Sequence, residues 1–112
     1  MADYKALAKQ VQEERRFLMN ECQEVGKAMY GLHMAAVKDG ALEKKTKELI
    51  ALGIAISKQC EGCIVAHVES LLAMGATLEE IAEVVDVAVL MGGGPAVTYG
   101  GKAIEIAKQL SA

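Results

Sequence analysis

The sequence has no tryptophan, one phenylalanine and one proline among its 112 residues. Aromatic residues make up 4% of the chain, whereas apolar residues make up 53%, so the apolar content comes mainly from aliphatic side chains. One domain of this size buries only about two thirds of the surface that its unfolded chain exposes. The aliphatic excess is more than one small helical domain can hide, and it predicts subunit interfaces.

The sequence also lacks an excess of basic charge and a long apolar segment. The formal net charge is −3, which gives no electrostatic footprint for nucleic acid. The start of the chain, Met1 to Lys5, lacks the apolar core of a secretory signal. Asp86 interrupts the longest apolar region well short of the roughly 20 residues that a membrane span needs. We therefore expect a cytoplasmic protein with no nucleic-acid or membrane partner.

No run of residues alternates convincingly in the manner of a β-strand, so the sequence predicts an all-α fold. We interpret residues 1–112 as one domain of five to six helices, with N-terminal helices in 1–40 and a core region in 41–110. Apolar periodicity and capping signals define the helices. They are predicted at 3–25, 27–38, 42–59, 63–74, from a capping box at Thr77 through Met91, and from Pro95 to about Leu110.

The glycines of the segment Gly92-Gly93-Gly94-Pro95 resemble a phosphate-binding loop only superficially. A P-loop ending at Gly101-Lys102 would need glycine at 96 and serine or threonine at 103, and both residues are alanine. No strand precedes the segment, as a dinucleotide fingerprint requires. We expect a helix break here and no bound cofactor.

The three cysteines are too few for a disulfide framework in a reducing compartment, and two of them form a Cys60-Glu61-Gly62-Cys63 motif. His67 follows four residues later, and Glu48 precedes the motif. With Glu61-Gly62 as a break between two helices, the cysteines should flank a helix start, where free backbone N–H groups favour a thiolate. Together these residues provide the groups of a thiol redox centre.

The order in which the two thiols act is left open by these residues. Cys63 and His67 share a helix face at this spacing, so the imidazole can exchange the thiol proton, which favours Cys63 as the attacking thiol. In thioredoxin-like CxxC motifs the first cysteine is usually the nucleophile, which favours Cys60. Glu61 opposes thiolate formation by like-charge repulsion, and Lys58 partly offsets it.

Simpler structural explanations also exist for several of these residues. Glu48 stands where a charged helix start becomes apolar, and it can be a solvated residue or a salt-bridge partner of Lys44 or Lys45. Cys22 lies on the apolar stripe of the first helix, which predicts a small core residue. His33 is expected to be an ordinary surface or packing residue.

From about Leu42 to Gly101 the chain resembles the carboxymuconolactone decarboxylase family, specifically its alkyl hydroperoxidase D-like branch. Three segments carry the resemblance. They are Leu42-Glu43-Lys44-Lys45-Thr46-Lys47-Glu48-Leu49-Ile50-Ala51-Leu52, Cys60-Glu61-Gly62-Cys63-Ile64-Val65-Ala66-His67 and Gly75-Ala76-Thr77-Leu78-Glu79-Glu80-Ile81. The resemblance implies an all-helical fold that assembles as a homotrimer or homohexamer.

The resemblance also implies roles for the four candidate active-site residues. Glu48 and His67 would form a proton relay, Cys63 would attack a peroxide and pass through a sulfenic acid, and Cys60 would donate a proton and close the disulfide. The substrate would be a hydroperoxide or a partner disulfide, and a lipoyl-bearing or thioredoxin-like protein would be the reductant. Gly62 departs from the best-studied peroxide-reducing members, which have histidine there, and this difference favours general disulfide reduction.

Three alternatives compete with a dithiol antioxidant enzyme. Lactone decarboxylation, which named the family, needs no thiol pair. Metal binding could use Cys60, Cys63, His67 and Glu48 as zinc ligands, although their spacing differs from that of the usual zinc fingers. The third alternative is a non-catalytic oligomeric module that retains these residues.

Overall fold

A computed structural model of the protein describes residues 2–112, and this part of the chain folds into six α-helices with no β-strand. The helices are α1 Tyr4–Glu21, α2 Gln23–Val37, α3 Lys44–Ser57, α4 Glu61–Ala73, α5 Leu78–Gly92 and α6 Gly94–Ser111. The predicted all-α fold is confirmed. None of the helices described has the length and apolar character that crossing a membrane requires.

The first two helices meet at Cys22, not near residue 26 as predicted. Cys22 has φ −121° and ψ 57°, which ends α1 and precedes α2. The two helices approach closely on either side of this junction. A Cβ added to Gly26 would lie only 2.6 Å from the Met19 sulfur. The predicted burial of Cys22 is wrong: its position at the junction leaves the free thiol exposed.

The junction between α3 and α4 also lies earlier than predicted. Gln59 adopts a left-handed conformation with φ 56°. Its N–H donates to the Ile56 carbonyl, and the Cys60 N–H donates to the Ala55 carbonyl. This pair of bonds is the Schellman arrangement, which reverses the chain within a few residues. The predicted break at Glu61-Gly62 is therefore wrong, because both residues belong to the first turn of α4.

The later helices begin and end close to the predicted residues. Gly75, with φ 83°, follows the end of α4. Thr77 and Glu80 form the predicted capping box of α5, in which the Thr77 N–H donates to Glu80 and helps to lower the pKa of that carboxyl. Pro95 lies in the first turn of α6. Four small residues of α6 are buried: Ala96, Gly100, Ala103 and Ala107.

The hydrophobic core centres on α4, which packs against α1, α3 and α6. Ile64, Val65, Val68 and Leu71 are completely buried on this helix. Close approach of α5 and α6 depends on Gly100, since a Cβ there would lie 2.5 Å from Val85 Cγ1. The core therefore fixes α3 and α4 side by side, and these two helices carry the candidate active-site residues.

Candidate active site

Glu48 of α3 and His67 of α4 form a hydrogen-bonded pair. The Oε2 atom of Glu48 lies 2.7 Å from Nδ1 of His67. Only 1% of the Glu48 side chain is exposed, compared with 23% of His67. A buried carboxylate is costly without a compensating partner, so this contact orients the imidazole and balances the carboxylate charge whenever the imidazole is protonated.

The lysines near Glu48 in the sequence bind other groups. Lys45 Nζ lies 2.9 Å from Oε2 of Glu80, and Lys47 Nζ donates to the Lys38 carbonyl at 2.8 Å. The Lys44 backbone N–H is bound by the Asp39 carboxylate. The alternative of an ordinary lysine salt bridge for Glu48 is therefore wrong for Lys45, and the structure gives Glu48 imidazole partners instead.

His33 lies beside Glu48, a proximity that sequence reasoning did not predict. Its Nε2 atom lies 3.9 Å from Oε1 of Glu48, the carboxylate oxygen that does not bind His67. His33 belongs to α2, and its side chain is 46% exposed. The chain has only two histidines, and both lie beside this one buried carboxylate.

Cys60 and Cys63 are joined in a disulfide at the N-terminus of α4. Cys60 is the N-cap residue, and its sulfur accepts a hydrogen bond from the Cys63 backbone N–H at 3.3 Å. Both residues are half-buried. The N–H groups of a helix start stabilise negative charge, so this position favours a thiolate on reduction.

The charge of Glu61, which lies between the cysteines, is balanced by a residue from α6. Lys102 Nζ lies 3.4 Å from the Glu61 carboxylate. The pKa of Lys102 is raised, first by its electrostatic interaction with Tyr4 and then by the hydrogen bond to Glu61. Lys102 reaches Glu61 because α6 packs beside α4, and sequence reasoning did not identify this partner.

A cleft of about 320 Å³ opens beside the disulfide, between α1 and the start of α4. Cys60, Gly62 and Cys63 line one side. The α1 side consists of Val11, Glu14, Arg15 and Leu18. The disulfide is therefore accessible from a surface that is apolar at Val11 and Leu18 and charged at Glu14 and Arg15.

The structure brings together the four predicted active-site residues in two pairs, one by a disulfide and one by a hydrogen bond. Within residues 2–112, the Cys63 sulfur makes no hydrogen bond to His67. In the same range, no three side chains of the His, Cys, Asp and Glu types are arranged to hold a metal ion.

Comparison with known proteins gives the chain close relatives of unknown activity. It is 40% identical over 85 residues to an uncharacterized protein of Cupriavidus necator. The aligned residues cover 76% of this chain and 75% of that relative. It is 39% identical over 83 residues to an uncharacterized protein from the cox locus of Paracoccus denitrificans, covering 74% of this chain and 75% of the relative.

Solved structures show the same fold. A carboxymuconolactone decarboxylase family protein of Legionella pneumophila, crystallised in its apo form, superposes with a TM-score of 0.93 and 40% identity over 97% of both chains. A Thermotoga maritima member, for which a role in the antioxidative response has been suggested, superposes with a TM-score of 0.81 and 30% identity over 91% of this chain and 90% of that one. The model of the carboxymuconolactone decarboxylase family matches residues 23–108. The chain therefore belongs to the carboxymuconolactone decarboxylase family.

Proposed function

We propose that this protein is a dithiol oxidoreductase of the alkyl hydroperoxidase D-like branch, which reduces hydroperoxides or partner disulfides by cycling Cys60 and Cys63 between dithiol and disulfide. The observation that carries the proposal is the Cys60–Cys63 pair at the N-terminus of α4, open to a cleft, with His67 of the Glu48–His67 pair about one turn further along the same helix. The antioxidative role suggested for the Thermotoga maritima relative supports the same activity.

The oxidative half of the cycle begins at Cys63. His67 takes the thiol proton, and the Cys63 thiolate attacks one oxygen of the hydroperoxide. The O–O bond breaks, the sulfur becomes a sulfenic acid, and the leaving alkoxide takes a proton and departs as an alcohol. Glu48 stabilises the imidazolium that forms in between, since its carboxylate lies 2.7 Å from the ring.

Cys60 then attacks the Cys63 sulfur, which closes the disulfide and releases water with the Cys60 proton. The hydrogen bond from the Cys63 N–H to the Cys60 sulfur supports this assignment, because it stabilises negative charge on Cys60. In the reverse direction, a partner thiolate attacks Cys63 and Cys60 leaves as the stabilised thiolate. The two sulfurs supply the two electrons that reduce the O–O bond.

A dithiol must reduce the pair again, and we propose a lipoyl-bearing or thioredoxin-like protein as the donor. We place the cycle in the cytoplasm, where a disulfide is usually transient and catalytic. Gly62 lines the cleft beside the disulfide, so this side of the cleft carries no side chain between the two cysteines and a partner that reduces the disulfide.

The function is tested by turnover of tert-butyl hydroperoxide and of a small disulfide by metal-free protein, with dihydrolipoamide or reduced thioredoxin as donor. The Cys22→Ser variant serves as the working form, because it removes the exposed third thiol. We expect turnover that the double variant Cys60→Ser/Cys63→Ser lacks. Absence of turnover with both oxidants, together with lactone decarboxylation that survives the double replacement, would establish a lyase instead.

We also propose that the chain assembles as a homotrimer or homohexamer. Large apolar side chains are widely exposed on α2 and α5, and Leu90 and Met91 each have 79% of their surface accessible. Exposed apolar surface of this kind is typical of interfaces between copies of a chain. Sedimentation equilibrium should give a mass three or six times the subunit mass of 11.9 kDa. A monomeric mass at micromolar concentration would contradict the proposal.

A further inference from the structure

We propose that His33 is a second imidazole partner of Glu48, a positioning residue that holds the buried carboxylate in place against His67. The inference rests on the proposed thiol chemistry, because the position of Glu48 affects a rate only if His67 exchanges protons with the thiols. No sequence motif points to His33, and it is the folding of α2 beside α3 that places it at the site.

The two oxygens of Glu48 have different surroundings. Oε2 is bound by His67 at 2.7 Å, whereas Oε1 has no hydrogen bond from any group within residues 2–112. Nε2 of His33 stands 3.9 Å from Oε1. No buried side-chain oxygen or nitrogen of the described residues lacks a hydrogen-bond partner, so a donor from His33 would add to the hydrogen bond from His67 and restrict the buried carboxylate further.

His33 is able to supply that donor. Its side chain is 46% exposed, so a change in its side-chain torsions meets little packing resistance. A shift of about 1 Å brings Nε2 from 3.9 Å into the hydrogen-bonding range. Lys45 and Lys47 of α3 do not compete for this oxygen, since Lys45 binds Glu80 and Lys47 binds a backbone carbonyl.

A donor at Oε1 fixes the carboxylate between two rings. Oε2 then remains aimed at Nδ1 of His67, and we assign the proton of that bond to Nδ1. This assignment leaves Nε2 of His67 free to take the thiol proton and return it to the leaving group. His33 neither gives nor takes a proton in the cycle, because it acts only through the orientation of Glu48.

The kinetic test compares His33→Phe with His33→Gln, each alone and combined with Glu48→Gln, in the Cys22→Ser form. The rate of Cys60–Cys63 disulfide formation after hydroperoxide addition is measured. We expect His33→Phe to slow this rate about tenfold, as for loss of a hydrogen bond to a charged group, and His33→Gln to retain most of it by donating from its amide. Met34→Leu, next to His33 on the same helix, is the matched control and should leave the rate unchanged.

The combined variants separate positioning from other roles. If His33 acts through Glu48, His33→Phe causes no further loss in a Glu48→Gln protein. Effects that multiply in the double variant, or a His33→Phe protein as fast as the parent, would overturn the proposal.

A spectroscopic measurement keeps the inference separate from the proposed function. With only two histidines in the chain, long-range ¹H–¹⁵N spectra resolve each imidazole. We expect His33→Phe to shift the His67 nitrogen resonances, as Glu48→Gln does, and Met34→Leu to leave them in place. If the thiols never oxidise yet His67 responds in this way, the contact stands and the proposed function fails. If the thiols oxidise and His67 does not respond to His33→Phe, the contact fails and the proposed function stands.

Discussion

Cys63→Ser is expected to abolish hydroperoxide turnover completely. A serine hydroxyl is a far weaker nucleophile than a thiolate, and Cys60 is then the one thiol that remains in the Cys22→Ser form. The measurement is the rate of hydroperoxide loss with a saturating dithiol donor, in the Cys22→Ser form. Retained turnover in Cys63→Ser would reverse the assigned order of the two thiols.

Cys60→Ser gives a different expected result, which is the control for this assignment. Cys63 can still attack the hydroperoxide, but the sulfenic acid that forms has no resolving thiol. Mass spectrometry should therefore find one added oxygen on Cys63, or a mixed disulfide when an external thiol is present. The loss of both products in Cys60→Ser would show that Cys63 does not react first.

The second large effect on the rate is expected from replacements in the Glu48–His67 pair. Glu48→Gln and His67→Ala should each slow disulfide formation about 100-fold, the order of magnitude for loss of a general acid–base group. Glu48→Gln retains a side-chain oxygen for the 2.7 Å contact but removes the charge that balances the imidazolium. The rate is measured by stopped-flow mixing of reduced protein with hydroperoxide.

Glu69→Gln is the matched control for this pair. Glu69 lies on α4 close to His67 but hydrogen-bonds Gln12 of α1. Its replacement should leave the rate unchanged. Because Glu48 is buried, the melting temperature of each variant is compared with that of the parent so that a folding defect is recognised. Unchanged rates in folded Glu48→Gln and His67→Ala would reduce both residues to structural roles.

The sequence was sufficient to predict the all-α fold and the helix ends marked by Gly75, Thr77 and Pro95. It also singled out Glu48, Cys60, Cys63 and His67, which the structure places in two pairs. These signals are local: the capping box at Thr77 and the positive φ at Gly75 are properties of a few neighbouring residues. The junction before Cys60 lacks such a signal. It uses a left-handed Gln59, and this conformation is uncommon for a residue other than glycine.

Contacts between distant helices could not be predicted in the same way. The exposure of Cys22 follows from the place where α1 ends and not from the apolar stripe to which it belongs. The approach of His33 to Glu48 and the pairing of Lys102 with Glu61 depend on how α2 and α6 pack. Neither His33 nor Lys102 lies three or four residues from its partner, the spacings at which side chains meet on one helix.

The most direct test of the redox cycle is the state of the thiols after one equivalent of hydroperoxide, in reduced, metal-free protein. Free thiols are titrated before and after the addition, and peptide mapping by mass spectrometry locates any disulfide. We predict rapid loss of two thiols, a Cys60–Cys63 disulfide as the product and a free Cys22. Three unreacted thiols, with the disulfide absent, would contradict the proposed reduction of hydroperoxides by this pair.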